Sequence, residues 1–258
     1  MLNRSDLTAD CSRCAGLCCV APAFAKSSDF AINKPAGKPC PNLRQDFRCG
    51  IHTQLRQKGF PGCTVFDCFG AGQQVVQITY DGADWHDQPR MLDTFPIMRN
   101  LHELLYYLAE ARTFDQNPNL GNTQAEIEHL TNQSPDVLDR VDVDQLRKAV
   151  NVLLTEASNR RRKGLGQRDL RGRDLIGKSL RDKDLRGANL RGALLIGADL
   201  SGADLRLADV IGADFRGANL AGADLSETIF LTQAQLNAAR GDRSTKLPAS
   251  LEHPAHWR

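Results

Sequence analysis

The chain has 258 residues, of which 41% are hydrophobic, 25% charged and 6% aromatic, with a formal net charge of +2. A charge this close to zero gives no general attraction to nucleic acid or to an anionic membrane surface, and no window approaches the roughly 18 uninterrupted apolar residues of a membrane span. The opening residues, MLNRSDLTADCSRC, lack the apolar middle of a secretory signal, so the expected location is cytoplasmic.

The first predicted element is a cysteine-rich segment. All eight cysteines lie between Cys11 and Cys68, as CSRCAGLCC followed by Cys40, Cys49, Cys63 and Cys68. With Gly, Pro and polar residues between its thiols, this segment has too little apolar material to hold itself by a core alone. In a reducing cytosol a close set of thiols reads as a metal site before it reads as disulfides. Cys11 and Cys14 form a C-x2-C knuckle, the separation that lets two thiolates from one tight turn converge on one ion. Cys18 and Cys19 are adjacent and their side chains diverge, so one joins the knuckle while the other faces a second site or a different strand of the framework. Eight thiols can fill two tetrahedral zinc sites, or supply four ligands to an iron–sulfur cluster and four to something else, and the sequence leaves their division open. His52, three residues after Cys49, is a substitute ligand, weighed against the simpler reading of a surface histidine. QQVVQITY followed by Asp81-Gly82 reads as a strand and turn that close the segment.

A helical connector follows. Behind Asp93-Thr94-Phe95-Pro96, which offers a cap and an early Pro, the residues Ile97, Leu101, Leu104, Leu105 and Leu108 recur at helical spacing. Val143, Leu146, Val150, Leu153 and Leu154 mark a second amphipathic helix, and Ile127 and Leu130 a weaker one. These stripes read as packing surfaces. G-x-S-x-G, P-loop, H-E-x-x-H and dinucleotide fingerprints are all missing from the sequence. His86, near Asp84 and Asp87, and His102, beside Glu103, are the only acid/base pairs that spacing suggests, and spacing alone is a weak signal.

The last predicted element is a repeat. From Leu165 to Phe230 an apolar residue returns at every fifth position, through Leu170, Leu175, Leu180, Leu185, Leu190, Leu195, Leu200, Leu205, Val210, Phe215, Leu220 and Leu225. A period of five suits neither a helix nor a strand, so the backbone must turn within each unit. Ala precedes most of these positions by two, Asp or Asn lies between, and Gly follows at Gly192, Gly197, Gly202, Gly212, Gly217 and Gly222. Residues 160–191 carry a net +8, whereas residues 192–230 carry a net −4. In the first turn of the repeat the small inward slot is occupied by Arg168, Arg173, Lys178 and Lys183, which cannot be buried unpaired. That turn is expected to be a modified cap, with a basic patch for an acidic partner, extended by Arg160 to Lys163, as the alternative. Thr232 to Ala239 is expected to cover the far end, and the tail after Gly241 to be mobile.

Two of these patterns resemble known families. The arrangement C-x2-C-x-G-x-C-C, then CPNL, then RCGIHTQLRQKGFPGCTVFDC resembles the YkgJ-type zinc- or iron-chelating cysteine-cluster domains over about residues 11–72, departing from them at Phe60-Pro61-Gly62, where Arg-Pro is usual. The resemblance implies metal chelation, by zinc first and by iron or an iron–sulfur cluster otherwise, with Cys11, Cys14, Cys18, Cys19, Cys40, Cys49, Cys63 and Cys68 as ligands. The A-(D/N)-L-x-G pattern resembles the pentapeptide-repeat family over about residues 163–231, which implies a right-handed quadrilateral β-helix with four pentapeptides per coil.

The expected fold is therefore mainly β with α: a cysteine-rich metal-binding domain over 1–90, a helical connector over 91–162, a β-helix of about three and a half coils over 163–231, and a capping helix with a mobile tail over 232–258. The leading functional expectation is a metal-binding, protein-interaction or sensing module that presents a solenoid wall to a protein partner. One alternative is an iron-dependent redox or maturation enzyme acting on a peptide or other biosynthetic intermediate. Another is protection of DNA gyrase or a related topoisomerase by mimicry of DNA, the best-known role in the pentapeptide family. Stacked at 4.7–4.9 Å per coil the repeat is only about 16 Å tall, roughly five base pairs, and its charge is polarised rather than acidic throughout. Both facts weigh against mimicry.

Overall fold

The computed structural model describes residues 1–165 and 168–257; residues 166 and 167, inside the first predicted repeat, and Arg258, the end of the tail, lie outside it. It divides into two compact units, Met1–Ala157 and Ser158–Arg258.

The first unit is organised around one long helix. After a 3-10 turn at Arg4–Leu7 come three single-turn helices, α1 (Leu17–Val20), α2 (Pro61–Thr64) and α3 (Ala71–Gln74). Four further helices follow: α4 (Met91–Phe114), α5 (Pro118–Thr131), α6 (Pro135–Leu138) and α7 (Val143–Arg161), the last running into the second unit. Of the predicted stripe on α4, Leu101, Leu104, Leu105 and Leu108 are buried, joined by Met91, Phe95 and Met98. A helix apolar on so much of its circumference belongs inside a cluster of others, and α4 packs against α1, α3, α5 and α6. It begins at Met91, before the expected cap: Asp93 and Thr94 lie in its first turn, Thr94 is fully buried, and Pro96 sits inside the helix. In α5, Asn117 does cap, its side chain accepting from the Asn119 N–H with Pro118 at the first helical position.

The strand expected at QQVVQITY is a helix instead, α3 continued by a π-helical turn at Val75–Thr79. A strand with one buried face would bury alternate residues, but the adjacent Val75 and Val76 are both buried and Ile78 is 54% exposed. A helical turn accommodates this pattern, two buried neighbours followed by an exposed residue.

The second unit is a coil in which one residue of each five-residue unit pairs with a residue about twenty positions further on. Parallel pairings join Asp169 to Asn189, Asp174 to Leu194 and Ser179 to Asp199, and so on up to Asp209 with Ile229. Each five-residue unit donates twice across the stack, as when the Leu170 N–H reaches the Asn189 carbonyl at 2.8 Å and the Gly172 N–H that of Arg191 at 2.9 Å. The Ala188 N–H turns back to the Leu185 carbonyl at 3.0 Å, closing a tight turn. That turn needs a left-handed residue at its third position, and Gly187, with φ of 64°, supplies it without strain. The Asp or Asn of each unit locks the turn from outside: Asp199 Oδ1 accepts from the Ser201 N–H at 3.1 Å and Asp204 Oδ1 from the Arg206 N–H at 3.1 Å. The period-five residues and the alanines from Leu185 to Leu225 fill the interior.

The expectation of a mainly β protein is overturned. Among the described residues the coil pairs only through isolated bridges, with no continuous strand, while helices dominate the first unit. A chain that turns every five residues leaves too few extended residues per side for a strand, and the apolar stripes of the first unit have helical spacing.

The ends of the coil differ. Arg168, Arg173, Lys178 and Lys183 are exposed, and their backbone carbonyls still accept from Asn189, Leu194, Asp199 and Asp204. The first turn thus keeps the ladder while its cations stay in solvent. At the far end α8 (Gln233–Ala238) is capped by Thr232, and the Gln235 amide donates to the carbonyls of Val210 and Ala213 at 2.8 and 2.9 Å. The tail, expected to be mobile, continues the stack: Arg240 pairs with Asn219, Lys246 pairs with Asp224, and Trp257 is buried in the coil's core. Backbone pairing needs no side-chain period, which is why the sequence pattern stops before the structure does.

Candidate metal centre

The eight cysteines occupy four local structures of the first unit. Ala15 and Gly16, with φ of 47° and 65°, reverse the chain after the C-x2-C knuckle and launch α1, which carries Cys18 and Cys19. Cys40 and Cys49 flank a short antiparallel pairing, in which Leu43 bridges Cys49 and donates its N–H to the Cys40 carbonyl at 2.9 Å. Cys63 lies on α2. Cys68 precedes two left-handed residues, Phe69 and Gly70, that fold the chain into α3.

These structures bring four of the thiols to one cavity. Cys11, Cys14, Cys18 and Cys68 line one cavity of about 20 Å³, along with Ala9, Asp10, Leu17, Gly72 and Phe95; that is room for about one water-sized occupant. The close approach of α3 depends on Gly72, where an added Cβ would stand 2.7 Å from the Cys14 Cβ. The carboxylate of Asp10 is engaged elsewhere, accepting from the Ser12 N–H and hydroxyl at 3.0 and 2.6 Å. Cys19 is not in the cavity lining, but its thiol is hydrogen-bonded to that of Cys18, against the expectation that the two side chains diverge. Its carbonyl accepts from the Cys40 N–H at 3.0 Å, and Cys19, Cys40 and Cys49 are all close enough to Cys63 for thiolate charge on them to raise it. Lys34, which belongs to no sequence motif, stands near Cys40 and Cys19. Its ammonium is buried, donates to the carbonyls of Val20, Pro35 and Lys38 at 2.9, 3.1 and 2.8 Å, and acts electrostatically on Cys40 and Cys19.

Protonation is set by burial and by thiol pairing. The hydrogen bond between Cys11 and Cys14 holds Cys11 down at about 6 and pushes Cys14 up. Cys18 and Cys19 repeat the arrangement, with Cys18 raised and Cys19 lowered. Burial pushes Cys63 up to about 12 and also raises Cys49 and Cys68. Backbone N–H groups oppose it, that of Ile51 at Cys49 and those of Gly70 and Gly72 at Cys68. No three His, Cys, Asp or Glu side chains among the described residues stand at metal-ligating geometry. The donor chemistry of the cavity is nevertheless of the zinc class: it is lined by four thiols, and backbone N–H groups point at two of them, Cys14 and Cys68.

The other candidates separate. His52 is exposed on a 3-10 turn, near enough to Cys11 to lower its pKa but outside the cavity lining. His86 bonds the neighbouring Asp84 at 2.9 Å in an exposed turn. His102 turns away from Glu103: its Nδ1 lies 2.7 Å from the Phe69 carbonyl, and burial lowers its pKa to about 4. Glu103 instead faces Arg99 and Arg147 at 3.4 and 3.3 Å.

Comparison with known proteins supports the repeat and the whole-chain relationship. The family model for pentapeptide repeats matches eight copies between residues 169 and 240. Among solved structures, the pentapeptide repeat protein Rfr23 of the cyanobacterium Cyanothece 51142 is 33% identical over 31% of this chain and 53% of its own, with a TM-score of 0.29. A pentapeptide repeat protein from Nostoc Pcc 7120 is 32% identical over 39% of this chain and 87% of its own, with a TM-score of 0.26. The chain spans about half the length of Rfr23. The uncharacterized protein YybG of Bacillus subtilis (strain 168) is 55% identical across 98% of this chain and 95% of its own length. No described helix is long and apolar enough to cross a membrane. The chain is a pentapeptide-repeat protein and belongs to the same family as Bacillus subtilis YybG.

Proposed function

We propose that the protein is a metal-stabilised interaction module, in which the cysteine-rich segment holds zinc and the pentapeptide coil presents a rigid wall to a protein partner. The observation that carries the reading is the meeting, around one small cavity, of Cys11, Cys14 and Cys18 from one stretch with Cys68 from much later in the chain. All eight cysteines are free thiols. Zinc bound by thiolates would fix α1, α2, α3 and the Cys40 to Cys49 pairing to one another, supplying the stability that the sparse apolar content of this segment does not. The partner surface is the side of the coil where Asp174 pairs with Leu194, because Ile176 and Leu194 are 48% and 39% exposed there and neither is needed to fill the interior.

Elemental analysis and an absorption spectrum of the full chain, purified without oxygen, test the metal reading. A colourless protein containing zinc supports it. Iron with labile sulfide would move the assignment to redox chemistry, and a metal-free protein with oxidised thiols would overturn it.

A further inference from the structure

We propose that one side of the coil, built from residues 173–177, 193–197 and 213–217, docks an acidic segment of a partner protein, with Ile176 and Leu194 receiving its apolar side chains and Arg173 and Lys178 its carboxylates. The inference rests on the interaction reading above and deepens it by naming the partner's chemistry.

Leu194 stands where the turn needs an acceptor. On the same side, Asp174 Oδ1 accepts from the Ile176 N–H and Asp214 Oδ1 from the Arg216 N–H, both at 3.0 Å, but a leucine offers the Ile196 N–H nothing. No packing is gained in exchange. Ile229, which occupies the same slot of its own unit, is 3% exposed, whereas Leu194 is 39% exposed. Ile176, one coil earlier, is exposed as well, and Ile196, at the same turn position as Ile176, is half-buried. A turn lock given up for exposed apolar surface is explained by contact with another molecule.

Charge names that molecule. Many of the coil's arginines are answered within the chain: Arg171 by Asp169, Arg186 by Asp184, Arg191 by Asp209 and Arg216 by Asp214, at 2.9, 2.7, 2.8 and 2.7 Å. Arg173 and Lys178 are exposed, and among the described residues neither side chain has a carboxylate or hydrogen-bond partner. The net +8 of residues 160–191 adds to the attraction for an acidic group. Free cations beside exposed aliphatic groups match a segment in which Asp or Glu is interleaved with bulky apolar residues. A nucleic acid would meet the cations but leave Ile176 and Leu194 against its phosphates, and Phe215, the one aromatic of this side, is inside the coil where no base can stack on it.

A phage library of random short peptides, selected on the full chain and followed by fluorescence anisotropy of the most enriched peptide, tests the assignment. The enriched sequences are expected to combine Asp or Glu with Leu, Ile or Phe and to bind more weakly as salt is raised. Leu194→Asp should weaken binding by about 10-fold or more. It should leave urea unfolding of the coil unchanged or shifted to higher urea, because the new carboxylate supplies the missing acceptor, as Asp184, Asp204 and Asp224 do in their own stacked column. Arg173→Glu with Lys178→Glu should also weaken binding by about 10-fold or more. Apolar peptides without acids that still need Leu194 would overturn the acidic partner and leave the interaction surface standing. Peptides indifferent to Leu194→Asp would overturn the surface itself, and with it the partner side of the reading above, while failure to enrich any peptide would overturn docking of a segment. Self-association lost in Leu194→Asp, or tighter binding of duplex DNA or anionic vesicles than of the peptide, would give the surface to a different occupant and equally overturn the proposal.

Discussion

In the coil, the residues from Leu185 to Leu225 at every fifth position are at most 1% exposed, and the same ladder bond recurs on every side. In the cysteine-rich stretch, by contrast, long runs are exposed: among residues 22 to 54 only Lys34 is buried. The coil makes its own interior from a repeated apolar residue and satisfies its backbone between successive turns. The cysteine-rich segment is irregular chain in which one thiol, that of Cys14, is buried. The two units should therefore fail for different reasons, and suitable substitutions either separate those failures or erase the contrast.

The largest effect is expected from the interior of the coil. Phe215→Ala removes a side chain that is 1% exposed and should cost about 3–5 kcal/mol, read by denaturant unfolding of the coil. Metal content should stay constant. A parallel loss of metal would show that the units are not independent.

A smaller effect, in the other unit, is expected at His102. Its folded pKa of about 4 lies below the ordinary 6.5, so the folded state takes up its proton at lower pH than the unfolded chain does. The stability from keeping this histidine neutral is fully present above about pH 6.5 and is lost as pH falls towards 4, by about 3 kcal/mol in all. His102→Asn, which retains a donor for the Phe69 carbonyl, should flatten the pH dependence of first-unit stability between those values and leave the coil's unchanged. An undiminished slope would place the titrating group elsewhere.

Two finer tests lie in the coil. Thr232→Ala removes the acceptor of the Gln235 N–H, 3.2 Å away, and should cost about 1 kcal/mol in urea unfolding. Leu207 occupies the turn position held by Gly in many other units, with φ of 59°. Leu207→Gly should therefore change stability by less than about 1 kcal/mol, because relief of backbone strain opposes the greater freedom of the unfolded chain. Leu205→Ala, two residues away but inside the coil, should cost about 2–5 kcal/mol. Similar costs at both positions would mean that the two slots are not distinguished as the structure has them.

The same contrast explains what is legible in the sequence. The coil can be read because Leu190, Leu195 and Leu200 fill equivalent slots, and Asp199 and Asp204 lock equivalent turns. Extended strands do not follow from that legible pattern, since a turn in every unit cuts them into single bridges. In the first unit, Val75, Val76 and Ile78 carry a β signal that helical packing overrides, and Asp93 and Thr94 resemble a cap although α4 begins before them. The cysteines can be identified as one set but not divided. The meeting of four of them at one cavity depends on Cys68 returning to a knuckle far earlier in the chain and on Gly72 allowing that approach. No local spacing encodes those long-range meetings.

The most direct test is hydrogen exchange of the full chain, purified without oxygen, before and after treatment with a metal chelator. Amides between Cys11 and Gly72 are expected to lose their protection while the ladder amides from Leu170 to Lys246 keep theirs. Unchanged protection around the cysteines, or equal loss in both units, would contradict a metal-held first unit beside a self-sufficient coil.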